Sequence, residues 1–363
     1  MVARMPIGMM SLSLLMHLRE LSGSFAFAGS IVGTYFIAMA GSAPIQGRLA
    51  DRRGPGGLLV VTGLVQPLAL GMLLFAGQLH LSLKAIAPLA AVAGMFAPPI
   101  SVLTRTLWRH RFEHAEERRT AFALDSVLIE INFTIGPALV GLALLFGTPA
   151  LAFAATWLVA ASAAPLFALS GAARYWKHSR GEAHSLLGPL TEPRLLSAYA
   201  VSTALALSFG MLEVGYPGFA ARAGMPALGG ALLAIFSVGS ALGGVAYGGM
   251  HFALPTERQL LRLLLLLAVP FGANALAASA WILAPLAFVA GLTVAPALTA
   301  LSLLVTQYAP ARYATEAFTW MSTCIVSGIG AGMAVGGLIV ESIGPWAAFA
   351  AAAGAAVVAA MVS

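Results

Sequence analysis

The stretch GRLADRRGPGG, Gly47 to Gly57, places one Asp and three Arg in a strongly apolar chain. Charged residues make up 9% of the 363 residues, and hydrophobic residues make up 60%. Long apolar segments lie on both sides of the stretch, and its Gly-Pro-Gly-Gly end is typical of a turn. A short basic turn between two apolar segments is typical of a protein that crosses a membrane several times.

Composition supports this interpretation along the whole chain. The apolar segments recur over the full length, which exceeds what one soluble core needs. A helix crosses a hydrocarbon layer of roughly 30 Å in about 20 residues, and the alternating pattern of membrane barrels is missing. We therefore predict an all-α polytopic membrane protein. A single cysteine, Cys324, excludes disulfides and thiolate metal clusters, and the net charge of +6 requires no nucleic acid partner.

Twelve spans are predicted, in two halves of six. The longest polar segment, 171–194, is interpreted as a cytosolic linker between a six-helix bundle at 1–170 and a second one at 195–363. A first span that starts at Met1 is short, about 27 Å if wholly helical, so we expect the natural protein to begin upstream. The predicted spans are 1–19, 25–46, 58–78, 84–106, 119–146, 150–170, 195–219, 227–250, 258–279, 282–307, 314–340 and 343–363.

The basic residues predict the orientation. With the even-numbered spans ending in the cytosol, 15 of the 19 Lys and Arg residues lie on the cytosolic side and 3 lie outside, leaving Arg4 unassigned. This asymmetry is what the positive-inside rule expects, with both termini in the cytosol. The strong preference for Arg over Lys indicates a GC-rich bacterial genome and hence a bacterial inner membrane.

The two halves also resemble each other. PIGMMSLSLLMHL, from Pro6, is similar to SFGMLEVGYPGFA, from Ser208, and RTAFALD, from Arg119, is similar to YATEAFTW, from Tyr313. Parallel six-helix halves are a known transporter design, with the substrate site between two bundles that rock against each other.

The stretch Gly47 to Gly57 resembles the loop signature of the major facilitator superfamily, Gly-x-Leu-Ala-Asp-Arg-x-Gly followed by two basic residues. Pro55 and Gly56 replace that basic pair. The resemblance implies two six-helix bundles and implies that Asp51 bonds to the start of the eleventh span, near Ala314 to Glu316, to close the cytosolic gate. The alternative is a basic turn that only sets topology. The matching residues are Gly47, Leu49, Ala50, Asp51, Arg52 and Gly54.

The fifth span carries an ionisable residue deep in the membrane. Glu130 lies 11 residues beyond Arg119, about 16 Å along a helix and near the midplane. Such a residue is costly unless it is paired, neutralised or hydrated, so it is a candidate for proton coupling. Asn132 follows it as a further polar candidate. Downstream, Gly136, Pro137 and Gly141 resemble part of the fifth-helix antiporter motif, and a kinked, closely packed helix explains them equally well.

Two further charged residues are candidates for the substrate path. Arg4 lies about 22 Å inward from Arg19, so it is placed to pair with Glu130, and its alternative is to snorkel to the cytosolic surface. Glu213 is an embedded carboxylate of the seventh span. His17 is interpreted as an interfacial histidine.

The sequence lacks the motifs of the main enzyme classes. It contains no phosphate-binding loop, no metal-binding His-Glu-x-x-His helix and no Gly-x-Ser-x-Gly elbow. We therefore predict a monomeric secondary active transporter without a cofactor. Its expected partners are a small organic substrate, protons and the lipid bilayer, and its expected activity is proton-coupled efflux. Uptake of a sugar or organic acid, and a non-transporting receptor or scaffold on the same fold, stay open as alternatives.

Overall fold

A computed structural model describes residues 2–111, 114–170, 188–250, 254–310 and 314–363. Within these ranges it does not describe the side chains at 51, 105, 106, 109, 110, 115, 116, 118–123, 125–127, 129, 130, 188, 314 and 315. The described residues form α-helices and short 3-10 turns without a strand, which confirms the all-α prediction. The α-helices are α1 (Met5–Ser22), α2 (Phe25–Arg53), α3 (Pro55–Leu74), α4 (Leu83–Met95), α5 (Ile100–Arg111), α6 (Ala115–Phe146), α7 (Pro149–Leu169), α8 (Pro193–Arg222), α9 (Pro226–Gly248), α10 (Thr256–Ala273), α11 (Ala280–Gly291), α12 (Val294–Tyr308), α13 (Ala314–Ser342) and α14 (Pro345–Val362).

These helices correspond to the twelve predicted spans because two of the spans are interrupted. The fourth span consists of α4 and α5, separated at Pro98 and Pro99, whose rings remove backbone donors. The tenth consists of α11 and α12, separated at Leu292 and Thr293. Ten helical segments of the described chain are long and apolar enough to cross a membrane, and the apolar part of α6, Ile131–Phe146, is shorter.

The charged stretch Gly47 to Gly57 differs from its prediction. The second span was expected to end at 46, with Gly47 to Gly57 forming the turn, but α2 continues to Arg53. Its Leu, Ala and Arg residues favour helix, and Arg52 and Arg53 in the last turn complement the negative end of the helix dipole. Gly54 alone makes the turn, at φ 80°, and Pro55 starts α3 as its first residue.

The structure describes only the end of the predicted linker. The segment 171–187 lies outside the described residues, but Gly188–Thr191 forms a 3-10 turn and α8 begins at Pro193 rather than at 195. A proline is favourable in the first turn of a helix, because its missing N–H would have no partner there.

The helices pack as two groups joined along one seam. In the first half, α2 packs on α4, α3 on α7, and α1 on α6 and α7. In the second half, α8 packs on α13 and α14, α9 on α11, and α10 on α14. The groups meet where α2 packs on α13 and α6 packs on α9. Apolar side chains of both halves share buried clusters across this seam, so the hydrophobic core is continuous.

Equivalent glycines mark the internal repeat. A Cβ atom added at Gly94, in the fourth span, would overlap the Tyr35 carbonyl oxygen of the second span. A Cβ atom added at Gly291, in the tenth span, would overlap the Phe236 carbonyl oxygen of the eighth. Each glycine lies just before the break in its span, so the two halves repeat the same close approach of two backbones.

Candidate gate and substrate path

The seam between the halves is closest at one end of the molecule, here called the Ser24 end, where α2 begins and α13 ends. Added Cβ atoms at Gly29 and Gly33 of α2 would overlap the carbonyl oxygens of Met333 and Gly330 of α13. The Gly-x-x-x-Gly spacing of α2 therefore lets two helix backbones touch, as small residues do in membrane helix pairs.

A second pair of helices closes the same end in the same way. Gly141, five residues before α6 ends, lies against Gly230, four residues after α9 begins. A Cβ atom at Gly230 would lie 2.6 Å from the Pro137 carbonyl oxygen. Gly136, on another face of α6, lies against Gly8 of α1. These three predicted residues of the fifth span therefore lie at backbone contacts, two of them at the seam.

A carboxylate spans the seam at the surface of the Ser24 end. Glu341, next to the last residue of α13, accepts hydrogen bonds from the Ser24 hydroxyl at 2.5 Å and from the Ala26 backbone N–H at 2.8 Å. Ser24 is the N-cap residue of α2, and its hydroxyl oxygen also accepts from the Phe27 N–H at 3.0 Å. Exposed Glu341 thus extends the cap of a helix that belongs to the other half.

The opposite end of α2, here called the Arg53 end, carries the predicted gating residues. Gly47 follows Gly29 by 18 residues, which is five turns of about 3.6 residues, so both lie on the same face of α2. Whereas Gly29 touches α13, no described atom lies within 4 Å of a Cβ atom at Gly47. Among the described residues, the α2 face that touches α13 at the Ser24 end therefore has no such contact at Gly47.

The other residues of the signature have simpler positions. Leu49 packs against a small apolar cluster beneath the Arg53 end, Arg52 is exposed in the last turn of α2, and Gly54 makes the turn. The Asp51 and Glu130 side chains lie outside the described residues, so only their helices, α2 and α6, are known. Their predicted roles stay predictions.

Glu213 of α8 lies at the seam between the halves. The Ser11 hydroxyl of α1 hydrogen-bonds its carboxylate, and the second carboxylate oxygen, Oε2, is buried without a hydrogen-bond partner. In the sequence repeat that starts at Pro6 and at Ser208, Ser11 and Glu213 occupy equivalent positions. Glu213 is therefore held by its own counterpart from the other half.

Arg4 and Asn132 are both buried. Arg4 is only 5% exposed, in a 3-10 turn that packs against α5 and α7. A snorkelling arginine keeps its head group in water, so this burial favours a guanidinium held within the protein. Asn132 is 3% exposed beside Gly8, and its side-chain oxygen has no hydrogen-bond partner.

Other polar residues of the spans bond neighbouring helices. His17 contacts the Leu73 carbonyl oxygen at 3.2 Å through Nε2 and stacks on Phe153. Gln66 donates to Tyr35 at 3.2 Å in the first half. Such hydrogen bonds hold membrane helices together without requiring a substrate. In the second half, Asn274 donates to Tyr216 at 3.0 Å.

Sequence reasoning missed Glu341. A carboxylate in the last turn of a helix is unfavourable beside the negative end of that helix dipole, so an acidic residue there indicates a partner from elsewhere. Glu341 in VESIG carried this signal, but the partner, the start of α2, is more than 300 residues away in the sequence.

Comparisons with known proteins agree with this architecture. The crystal structure of the nucleoside transporter NupG is similar, with a TM-score of 0.73 and 14% identity over 99% of this chain and 96% of that chain. A bacterial homologue of the human lysosomal transporter Spinster, in an inward-facing and occupied conformation, has a TM-score of 0.70 and 16% identity, over 99% and 94% of the chains. The human organic anion transporter MFSD10 has a TM-score of 0.66 and 16% identity, over 99% and 97%.

Sequence comparisons complete the assignment. The search of curated proteins gives no match. The family description "Major Facilitator Superfamily" matches residues 1–324, well over half of the chain. This chain belongs to the major facilitator superfamily, a family of membrane transporters.

Proposed function

We propose that this protein is a secondary active transporter that exports a small organic compound in exchange for protons. The observation that carries the proposal is the asymmetry of α2: its face is closed against α13 at Gly29 and open at Gly47. Alternating access requires a state in which the two bundles touch at one end of the seam and not at the other.

The distribution of basic residues assigns the sides in this proposal. It places the Arg53 end in the cytosol of a bacterium and the Ser24 end outside, with both termini cytosolic. The conformation described above is then inward-facing, with its outer gate closed. A monomer suffices for this mechanism, because both bundles belong to one chain.

Asp51 is proposed to close the inner gate. It follows Gly33 by 18 residues, so it lies on the α2 face that meets α13 at the Ser24 end. When the Arg53 end closes, this face brings Asp51 towards the N-terminus of α13, which begins at Ala314. A carboxylate is stabilised at the positive end of a helix dipole.

Embedded carboxylates are proposed to couple protons to transport. Glu130 is predicted near the membrane midplane, and Glu213 has a buried carboxylate oxygen without a partner. An embedded carboxylate is stable when it is protonated or when it meets a cation, so protons and a cationic substrate compete for it. This competition is the chemical basis of exchange, and it favours amphipathic organic cations as substrates.

Flux measurements test the proposed function. Purified protein in proteoliposomes with an imposed pH gradient is expected to move ethidium, an amphipathic organic cation. Asp51→Asn is expected to lower the transport rate at least about tenfold, which corresponds to a loss of about 1.4 kcal/mol or more in the free energy that stabilises the closed inner gate. Glu20→Gln, which removes an exposed carboxylate near the end of α1, is the control and should transport normally. If the unmodified protein moves neither ethidium nor any compound of a wider screen, the transport proposal fails and the receptor alternative is left.

The proton role of Glu130 has its own test. Glu130→Gln is expected to abolish the dependence of flux on the pH gradient, because an amide cannot exchange a proton. Glu117→Gln, an exposed position at the start of the same helix, is the matched control. Unchanged pH-gradient dependence in Glu130→Gln would remove this residue from the coupling mechanism.

A further inference from the structure

Glu341 makes the described hydrogen bonds that join the two bundles at the surface of the Ser24 end. Its Oε2 accepts from the Ser24 hydroxyl and from the Ala26 N–H, and the same hydroxyl oxygen accepts from the Phe27 N–H. The first N–H groups of a helix have no partner within that helix. The start of α2 is therefore capped jointly by its own Ser24 and by a residue of α13.

The helix dipole determines the sign of this interaction. The positive N-terminus of α2 attracts the Glu341 carboxylate, whereas the negative C-terminus of its own helix, α13, repels it. The N-terminus of α2 thus stabilises the Glu341 carboxylate only while α2 and α13 touch at the Ser24 end. When this end opens, α2 loses part of its cap, and the Glu341 carboxylate stays beside the negative C-terminus of α13.

The surrounding contacts show that this bond belongs to the closed gate. Gly337, one turn before Glu341 in α13, lies against the Phe25 carbonyl oxygen. Gly330, about two turns before Gly337, lies against Gly33. Glu341 therefore continues a row of backbone contacts out to the surface. The glycines permit the close approach, and Glu341 supplies polar bonds that form only at that distance.

We propose that Glu341 is the latch of the outer gate: by capping α2 from α13, it selects the conformation that is closed at the Ser24 end. The inference rests on the proposed alternating access. It also gives α2 and α13 matching roles, because each of these antiparallel helices carries a carboxylate in its last turn. Glu341 caps the start of α2, and Asp51 is proposed to meet the start of α13 when the Arg53 end closes.

Distance measurements by electron paramagnetic resonance test the latch without any substrate. Spin labels are placed at Leu21 and Ile343, which are exposed at the Ser24 end in opposite halves, in a Cys324→Ser background. Glu341→Ala is expected to raise the ratio of long to short distances about fivefold, the effect of a charge at a helix end. Glu20→Ala removes the same charge at the same end without breaking a bond across the seam, and should leave the ratio unchanged.

A second set of variants preserves the helix cap. Ser24→Asp keeps a capping oxygen for the Phe27 N–H but places a carboxylate beside Glu341, so it should open the Ser24 end. Adding Glu341→Gln to Ser24→Asp removes the repulsion and should restore short distances. If no Glu341 or Ser24 variant changes the ratio, or if Glu20→Ala changes it equally, the latch is wrong. If the latch variants shift the ratio while the unmodified protein transports nothing, the latch stands and the proposed function fails.

Discussion

At the scale of single residues, Glu213 at the seam has a hydrogen-bond partner for only one of its two carboxylate oxygens. The Ser11 hydroxyl of α1 bonds Glu213 of α8, and the other carboxylate oxygen is buried alone. A hydrogen bond to a charged group is worth more than one between neutral groups, and a buried charge without partners is costly. Ser11 therefore links the two halves energetically as well as by position.

Ser11→Ala is expected to lower stability by about 1–3 kcal/mol, because it leaves the Glu213 carboxylate without its donor. Ser13→Ala is the matched control: Ser13 is also buried in α1, but it makes only a long 3.5 Å bond to the Met10 carbonyl of its own helix. Thermal unfolding in detergent measures both. Equal melting temperatures for the two variants would contradict a contribution of Ser11 across the seam.

At the scale of elements, glycines set how closely neighbouring spans approach. Gly94 lies against Tyr35 in the first half, and Gly291 lies against Phe236 in the second. Both glycines precede breaks, at Pro98 and Pro99 in one span and at Leu292 and Thr293 in the other. Proline explains both breaks, because Pro99 and Pro296 lie four residues after Met95 and Leu292 and cannot make the helical hydrogen bond to those carbonyl groups.

Gly94→Ala and Gly291→Ala are both expected to destabilise the protein by about 1–3 kcal/mol, because each methyl group would overlap a backbone carbonyl. This loss outweighs the gain in helix propensity of about 1 kcal/mol from Gly to Ala. Gly354→Ala in α14 is the control, since no described atom lies within 4 Å of its Cβ position, and it should be neutral or stabilising. Thermal unfolding of the three variants tests this, and a control as unstable as the others would refute the explanation.

At the scale of the whole molecule, the two bundles touch through flat glycine surfaces along part of their seam. Gly33 of α2 meets Gly330 of α13, and Gly141 of α6 meets Gly230 of α9, both at the Ser24 end. Contacts between small residues bury little side-chain surface, so they are cheap to separate and to form again. This is the property that a gate needs and that a permanent interface does not.

Gly33→Leu is expected to hold the Ser24 end apart, because its side chain would occupy the position of the Gly330 carbonyl. A single cysteine at Phe25, which is 8% exposed, should then react faster with a membrane-impermeant maleimide in a Cys324→Ser background. Gly41→Leu places the same side chain on α2 where no described atom lies within 4 Å, and should leave this reaction rate unchanged. Equal rates in both variants would show that Gly33 does not control closure.

The sequence alone determined that the chain lies in a lipid bilayer, and it determined the fold class and the family. Apolar segments of about 20 residues can satisfy their backbone in lipid only as helices, and GRLADRRG identified the superfamily. Local rules did not predict where α2 ends, because its charged residues are compatible with both a helix and a turn. Only Gly54, with its positive φ, ends the helix.

Tertiary structure alone decided which end of the seam is closed and what holds it. Gly29 and Gly47 lie on one face of α2 and look alike in the sequence, yet Gly29 touches α13 whereas no described atom lies within 4 Å of a Cβ atom at Gly47. Glu341 and Ser24 are separated by most of the chain and form a bond only because α2 and α13 are antiparallel neighbours. The physical reason is that hydropathy and helix propensity act over a few turns, whereas the relative position of the two bundles depends on contacts between distant segments.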